Sequence, residues 1–417
     1  SMAYSRAEVA FIYLGICSLL PYNCILTAQP YFDEHAFPGL AFPFTSMIAY
    51  SVCLCSSQVW LTFKGDSLSM SCRMGVAFVV SGLTCLALAV ISVAGGGGSA
   101  TPWYIPCLVI VAVLSVSNSL LQTGMLGVAG TIGGDMSAAA MLGMGVSGLV
   151  SLAISLLVQC IQKALNLDLE SGSAGMQTAF VMFLACIFQI LSSCWVYFVF
   201  LRSRIPETAE ALATLEAGRC ASASPRWTGR QNSRLFTRVK HVLKEVSPQA
   251  VNVWGVFIVT MAVFPGVMVH WVPSPQSVFA NNRQLYGVLL IGCFQVGDVV
   301  GRYAAGWGAR RIAPQRLWIV VLMRFIFIPM FMLGQRLPGW SPLWGSDAGR
   351  FALCAAFSVS NGFAASLAMM FGPQCVTDPE KKEVAGIAMS TVMVTGIFMG
   401  TLVAFATQIG IHASPTS

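Results

Sequence analysis

Charged residues are scarce in this sequence. Asp, Glu, Lys and Arg make up 9% of the 417 residues, whereas a soluble domain of ordinary composition carries about 25%. Hydrophobic residues account for 56% of the chain, and the mean hydropathy is +0.74. This composition excludes an ordinary soluble domain and predicts a protein that crosses the membrane many times.

Residues that build catalytic and metal sites are equally rare. The chain has 4 His, and none of them has a metal-ligand partner at helical spacing. The 14 Cys show no metal-type spacing, and most lie in apolar runs, where they are expected to behave as small buried hydrophobes. Neither a Gly-x-x-x-x-Gly-Lys-Ser/Thr motif nor a serine nucleophile elbow is present. We therefore expect no enzyme activity, no metal and no cofactor.

Long apolar runs recur along the chain, and each is able to cross about 30 Å of hydrocarbon. Six runs precede a basic segment and five follow it. The predicted spans are about 7–29, 43–63, 74–94, 104–130, 139–164 and 177–201, then 251–271, 285–307, 317–333, 351–371 and 384–411. We predict an all-α polytopic membrane protein with 11 transmembrane helices, divided into a six-helix bundle (1–201), a linker (202–247) and a five-helix bundle (248–417).

The predicted linker is polar, basic and poor in apolar periodicity, so we expect a mobile cytoplasmic loop rather than a nucleic-acid-binding surface. Most Lys and Arg residues outside the spans lie on the side of the linker and the amino terminus. Because basic loops stay in the cytosol, this bias predicts a cytosolic amino terminus and an extracytosolic carboxy terminus. It also explains the net charge of +7 without an acidic partner.

Three charged residues fall deep inside the predicted spans: Asp298, Arg302 and Arg324. A charge at the centre of the bilayer costs about 2.5 to 3.5 kcal/mol on insertion scales, so such residues usually face a cavity or a partner. Asp298 and Arg302 are four residues apart and share one helix face. We favour a functional pair over an ion pair that only locks helices together. For Arg324 a structural role is slightly favoured.

Amide side chains also lie within the predicted spans. Asn118 and Gln122 lie on one face of the fourth span, and Gln295 lies on the same face of the eighth span as Asp298 and Arg302. Helix-to-helix hydrogen bonds, worth roughly 0.6 kcal/mol each, are one explanation. Two aligned polar stripes favour the other explanation, which is the lining of a cavity for a neutral ligand with several donors and acceptors.

Six short motifs occur in order along this topology. They are Leu19-Leu20-Pro21-Tyr22-Asn23, the glycine-rich run 122–130, Phe264-Pro265-Gly266, Asp298-Val299-Val300-Gly301-Arg302, the run 324–329, and Asn361-Gly362-Phe363 followed by Phe371-Gly372-Pro373. Each motif is weak alone, but their order on a six-plus-five topology is specific. On these residues the chain resembles the equilibrative nucleoside transporter family over nearly all of its length.

The resemblance implies a major-facilitator-like architecture of two bundles with a central substrate site between them. It implies that Gln122 contacts the nucleobase, that Asp298 and Arg302 line the site, and that Arg302 reaches the ribose region. It also implies an apolar wall at Tyr22 and Leu26. Asn118 and Gln295 lie one turn from these positions and are expected to join the site.

One departure widens the expected substrate range. Many family members carry Trp where this chain has Tyr22, and some relatives handle nucleobases or organic cations. The hypothesis is a monomeric plasma-membrane carrier of nucleosides or nucleobases that works by alternating access. It is either facilitative or coupled to protons. The alternatives are a major-facilitator-type carrier of a sugar or organic cation and a membrane receptor that transports nothing.

Overall fold

A computed structural model of the chain describes residues 4–64, 69–94, 101–167, 171–222, 229–264, 267–268, 271, 273–274, 277–280, 283–336 and 345–413. The first half contains α1 (Arg6–Tyr31), α2 (Phe42–Lys64), α3 (Met70–Ala94), α4 (Thr101–Ile132), α5 (Gly134–Ala164) and α6 (Gly172–Trp195). It is followed by α7 (Pro206–Ser222), α8 (Gly229–Val263), α9 (Arg283–Gly308), α10 (Leu317–Arg324), α11 (Phe327–Arg336), α12 (Asp347–Gln374) and α13 (Pro379–Ala413).

Within these residues, 11 helical segments are long and apolar enough to cross a membrane. The predicted number of spans is therefore confirmed. Local signals account for where several helices begin. At the start of α1, Ser5 and Glu8 form a reciprocal capping box, in which each side chain accepts a hydrogen bond from the other residue's backbone N–H. Ser346 caps α12 in a similar way through the N–H of Gly349.

The described residues of the linker, 202–222 and 229–247, are mostly helical rather than irregular, which corrects the expectation from their composition. It contains α7 and the first turns of α8, and α8 then continues without a break into the membrane-spanning segment. Thr208 and Leu212 of α7 are buried, and Arg202 pairs with Glu216 at 2.7 Å. Packing of α7 against α3 and α4 gives the segment a buried face that a search for long apolar runs overlooks.

Two predicted spans differ from the observed helices. The seventh span was placed at 251–271, but the apolar helix covers Phe236–Val263 because α8 ends just before Pro265, and the residue before a proline disfavours helix. The ninth span, predicted at 317–333, matches the apolar segment Pro314–Gly334, but the helix within it is interrupted between α10 and α11. Pro329 supplies the reason, since its ring lacks an N–H and conflicts with the carbonyl of Phe325 four residues earlier.

The helices form two groups that meet along a boundary. In the first half, α1 packs against α5 and α6, α3 packs against α4 and α6, and α2 packs against α4. In the second half, α12 packs against α8 and α9, and α13 packs against α8. Across the boundary, α5 contacts α9 and α12, while α2 and α4 contact α13.

The two groups of helices approach closely where residues 126–134 meet residues 370–387, a region that we call the closed end. A methyl group added to Gly386 would overlap the carbonyl oxygen of Leu126, and one added to Gly127 would lie 3.2 Å from Cγ1 of Ile387. A methyl group at Gly134 would lie 3.0 Å from the carbonyl oxygen of Met370. Helices of the two groups thus pack closely against each other across this end.

Replacing Gly143 with valine is expected to unfold the first half. A Cβ at Gly143 would overlap the carbonyl oxygen and backbone of Ile12, so α1 and α5 would have to separate. Overpacking of this kind costs roughly 1–3 kcal/mol or more, and here the obstacle is rigid backbone. Size-exclusion profiles after a heating series in detergent measure the loss. Gly82→Ala is the control, because nothing lies near a Cβ added there; equal melting of the two variants would contradict the packing described.

Candidate functional site

The polar face of α9 lies against a glycine-lined stretch of α5. A Cβ added to Gly145 would lie 2.7 Å from Nε of Arg302 and 3.2 Å from Oδ2 of Asp298. A Cβ added to Gly148 would lie 2.9 Å from Cδ of Gln295. Because these two glycines of the first half have no side chains, the three polar side chains of the second half fit against α5.

Asp298 and Arg302 form a buried ion pair on this face. Nε of Arg302 donates to Oδ2 of Asp298 at 2.6 Å, and the two residues are 6% and 7% exposed. Nη1 of Arg302 donates to the carbonyl oxygen of Met141 in α5 at 2.8 Å. Arg302 thus bonds to both halves at once. Because Met141 lies seven residues into α5, the pair is about 10 Å from the start of that helix, close to the closed end.

The second oxygen of Asp298 belongs to a chain of side-chain hydrogen bonds, which we call the Asp298 relay. Nδ2 of Asn361 in α12 donates to Oδ1 of Asp298 at 2.7 Å. Oγ1 of Thr260 in α8 donates to Oδ1 of Asn361 at 2.5 Å. Nη2 of Arg324 in α10 donates to Oγ1 of Thr260 at 2.8 Å. Four helices of the second half are joined in this way.

Close backbone packing places Asn361 beside Asp298. A Cβ on Gly362 would overlap the carbonyl oxygen of Asp298, and a Cβ on Gly301 would overlap that of Val359. Small residues at such positions allow membrane helices to approach closely. The short separation of α9 and α12 therefore brings an amide side chain within hydrogen-bonding distance of the carboxylate.

Arg324 is the most deeply buried member of the relay, at 1% exposed. Its guanidinium carbon lies 5.4 Å from the centre of the Phe357 ring, which is the geometry of a cation–π contact. Its Nε and Nη1 atoms have no hydrogen-bond partner. Two guanidinium groups and one carboxylate therefore share this part of the membrane interior.

The remaining predicted site residues lie on α1 and α4. Asn118 in α4 is buried and donates through Nδ2 to the hydroxyl of Tyr50 in α2. The ring of Tyr50 stacks on that of Tyr22 in α1, with centroids 3.9 Å apart and planes 21° apart. Gln122 is buried one turn beyond Asn118, and Leu26 is half-buried one turn beyond Tyr22.

The seven predicted residues thus form two groups. Tyr22, Leu26, Asn118 and Gln122 belong to the first half, whereas Gln295, Asp298 and Arg302 belong to the second. No hydrogen bond joins the two groups among the described residues. Between them, α5 is tied to α1 by the bond from Asn23 Nδ2 to Ser147 Oγ at 2.7 Å, while its glycines Gly145 and Gly148 contact α9.

Three amide oxygens of these groups are buried without a hydrogen-bond partner: Oδ1 of Asn118, Oε1 of Gln122 and Oε1 of Gln295. Leaving a buried acceptor unpaired costs about 1–3 kcal/mol. Acceptors of this kind on both sides of a helix boundary are suited to a small ligand that carries several N–H or O–H donors. In the described part of the chain, no three potential metal ligands come together.

Sequence reasoning missed Tyr50 and Thr260 and did not assign Asn361 a place in the site. Asn361 carried a signal, since it is one of few amides inside a span. Thr260 carried none, because a threonine within a helix usually bonds its own helix, and Oγ1 of Thr260 indeed also lies 2.8 Å from the carbonyl oxygen of Val256. The partner of Tyr50 depends on where α2 lies beside α1 and α4, which spacing along one helix does not reveal.

Two bundles of long apolar helices that meet at a common boundary have the major-facilitator fold. The crystal structure of the major facilitator transporter FucP in the outward conformation aligns with a TM-score of 0.62 and 12% identity, covering 97% of this chain and 92% of that one. A bacterial homologue of the iron transporter ferroportin in an outward-facing state aligns equally well, with 11% identity, 97% of this chain and 92% of that one. The two-bundle fold predicted above is confirmed.

The family follows from sequence. The family model described as Nucleoside transporter matches residues 108–409, and the chain belongs to this family. Human equilibrative nucleoside transporter 1 is 24% identical over 96% of this chain and 96% of its own length. Human equilibrative nucleoside transporter 2 is 25% identical over 97% of each. Equilibrative nucleotide transporter 3 of Arabidopsis thaliana is 23% identical over 97% of this chain and 95% of its own. The resemblance drawn from the six motifs is confirmed.

Proposed function

We propose that this membrane transporter carries nucleosides by alternating access around a site built from both residue groups. One observation carries the proposal: the buried Asp298–Arg302 pair lies at the boundary of the halves, and Arg302 bonds to Asp298 in one half and to Met141 in the other. Groups that a substrate reorganises at such a boundary couple its binding to movement of the halves.

The chemistry of the second-half group suits a ribose. A carboxylate accepts hydrogen bonds from hydroxyl groups, and a guanidinium donates to ring or hydroxyl oxygens. Gln295 lies on the same helix face and offers its unpartnered Oε1 as a further acceptor. We assign Asp298, Arg302 and Gln295 to the sugar, an arrangement that a hexose would also satisfy in part.

The first-half group favours a nucleoside over a hexose. The amides of Asn118 and Gln122 each offer an unpartnered oxygen, which accepts from the exocyclic or ring N–H of a base. Tyr22, already stacked on Tyr50, and Leu26 supply the flat apolar wall that a heterocycle needs. We assign these four residues to the nucleobase. The proposed setting is the plasma membrane, and the proposed working unit is a monomer with a cytosolic amino terminus.

We propose facilitated movement without proton coupling. Oδ2 of Asp298 accepts from Arg302 and Oδ1 accepts from Asn361. Both oxygens of this carboxylate accept hydrogen bonds and neither donates one, which is the hydrogen-bonding pattern of an ionised group. No hydrogen bond in this pattern uses a proton on Asp298.

Proteoliposomes of the purified chain test the proposal. We expect saturable uptake of labelled uridine or adenosine, competed by unlabelled nucleosides and not by glucose or tetraethylammonium. An imposed pH gradient is expected to leave the initial rate unchanged. Competition by glucose would favour a sugar carrier, and binding of nucleoside without any flux would favour a receptor. A rate that rises with an inward proton gradient would contradict facilitated movement while leaving the substrate assignment intact.

A further inference from the structure

The hydrogen bonds of the Asp298 relay have a single possible direction. At one end, the guanidinium of Arg324 only donates, and at the other end the carboxylate of Asp298 only accepts. The hydroxyl of Thr260 has one proton and two acceptors within reach, the carbonyl oxygen of Val256 at 2.8 Å and Oδ1 of Asn361 at 2.5 Å. We assign the proton to the shorter contact, because two oxygens at that separation need a proton between them. A reversed Asn361 amide would turn its oxygen towards the carboxylate. Every bond therefore points from the cation to the anion.

The relay lies wholly within the second half. Its members belong to α8, α9, α10 and α12, whereas Arg302, the other partner of Asp298, also bonds across the boundary to Met141. When the halves separate between α5 and α9, the bond from Arg302 to Met141 must break. The bonds that hold Oδ1 of Asp298 are not affected by that movement, since every partner moves with the same bundle. Oδ1 of Asp298 thus keeps its hydrogen-bond partner during the cycle, whereas the hydrogen bonds around Oδ2 and Arg302 change.

Burying the charge of Arg324 in an apolar site costs free energy that packing alone does not explain. Its neighbours are Phe357 and the hydroxyl of Thr260, and its Nε and Nη1 atoms are unpartnered. A leucine or phenylalanine would fill this apolar site without burying a charge. The positive charge of a guanidinium at this position stabilises the negative charge of Asp298, the carboxylate at the far end of the relay. Hydrogen bonds in such a chain polarise one another and strengthen the last one.

We propose that Arg324 is a positioning residue for the substrate-binding carboxylate, acting on Asp298 through Thr260 and Asn361. The relay fixes the orientation of the Asp298 carboxyl plane while Arg302 exchanges its partners with the substrate. It also supplies a positive charge that stays with Asp298 when Arg302 turns to the substrate. This inference rests on the proposed function, in which Asp298 binds the nucleoside.

Thr260→Val and Thr260→Ser form a matched pair of tests. Valine has the shape of threonine but interrupts the relay, and serine keeps the hydroxyl. We expect Thr260→Val to weaken nucleoside binding about tenfold, as loss of one hydrogen bond in a charged network does. Thr260→Ser is expected to bind within about twofold of the wild type. Equilibrium binding of labelled nucleoside to purified protein measures both, beside the melting temperature of each variant.

The Asp298→Asn background separates positioning from general packing. If Thr260 acts through the carboxylate, Thr260→Val adds no further loss of binding once Asp298 is replaced, because residues of one network are not additive. Equal binding by the valine and serine variants, or the same tenfold loss in the Asp298→Asn background, would overturn the relay. Unchanged binding by Asp298→Asn alone would instead overturn the proposed site.

Arg324→Lys and Arg324→Met give a second test if Thr260→Val does not fold. Lysine keeps a charge and a donor near Thr260, whereas methionine keeps only the apolar volume. We expect the methionine variant to bind nucleoside about tenfold more weakly than the lysine variant. Equal binding by the two variants would contradict a role for the charge.

Discussion

Replacing Asp298 with asparagine is expected to weaken nucleoside binding roughly a hundredfold, because hydrogen bonds to a charged group contribute about 1.5–3 kcal/mol each and the substrate loses its strongest acceptor. An amide also presents an NH₂ group to Arg302 or to Asn361, both of which donate to Asp298. One of the two bonds must therefore fail. Saturable uptake is expected to fall to the level of empty liposomes.

Folding and binding are separated by the choice of substitution and control. Removing one member of a buried ion pair costs about 3–5 kcal/mol when it leaves the other charge unpaired. Asparagine keeps the volume and one hydrogen bond, so we prefer it to alanine. Asp347→Asn is the matched control, because Asp347 also pairs with an arginine of its own helix. It lies 3.7 Å from Arg350 at the start of α12. A similar loss of binding in both variants, or binding retained in Asp298→Asn, would contradict the site.

A disulfide across the closed end is expected to stop transport completely and reversibly. In the double variant Gly127→Cys, Ile387→Cys, oxidation would join α4 to α13, because a Cβ on Gly127 lies 3.2 Å from Cγ1 of Ile387. A sulfur at position 387 would take a place close to Cγ1, and the separation matches the roughly 3 Å between a Cβ and the opposite sulfur that an S–S bond of about 2.0 Å implies. If the halves must part here in every cycle, copper phenanthroline abolishes uptake and a reductant restores it.

Single-cysteine variants provide the control for the cross-link. Thirteen of the 14 cysteines are free in the structure, so an oxidant could act on them without any engineered pair. Gly127→Cys alone and Ile387→Cys alone are expected to keep their uptake after oxidation. Uptake that continues in the cross-linked double variant would show that this end does not open, and alternating access through it would be excluded.

The membrane architecture follows closely from the sequence, because long apolar runs report directly on the thickness of the bilayer. The face shared by Gln295, Asp298 and Arg302 was also predictable, since spacing along one helix fixes it. The linker was not. Its helices depend on contacts such as the burial of Leu212 against other elements, and a basic composition alone favours an irregular segment.

The partners of the charged pair lie beyond sequence reasoning for a physical reason. Met141, Thr260 and Asn361 belong to three different helices, and their meeting depends on tertiary packing through residues such as Gly145 and Gly362. Arg324 illustrates the same limit. A lone arginine in a span suggests a structural role, whereas its bond to Thr260 connects it with Asp298. Charge and spacing along the sequence predict the candidate site residues, whereas tertiary packing determines their hydrogen-bond partners.

The most direct test of the account is counterflow of labelled uridine in proteoliposomes loaded with unlabelled nucleoside. The wild-type chain, Asp298→Asn and Asp347→Asn would be measured in parallel at equal protein density. We predict transient accumulation of label above equilibrium for the wild type and Asp347→Asn, and none for Asp298→Asn. Accumulation by Asp298→Asn at the wild-type rate, or no counterflow by the wild type, would contradict a nucleoside carrier organised around the Asp298–Arg302 pair.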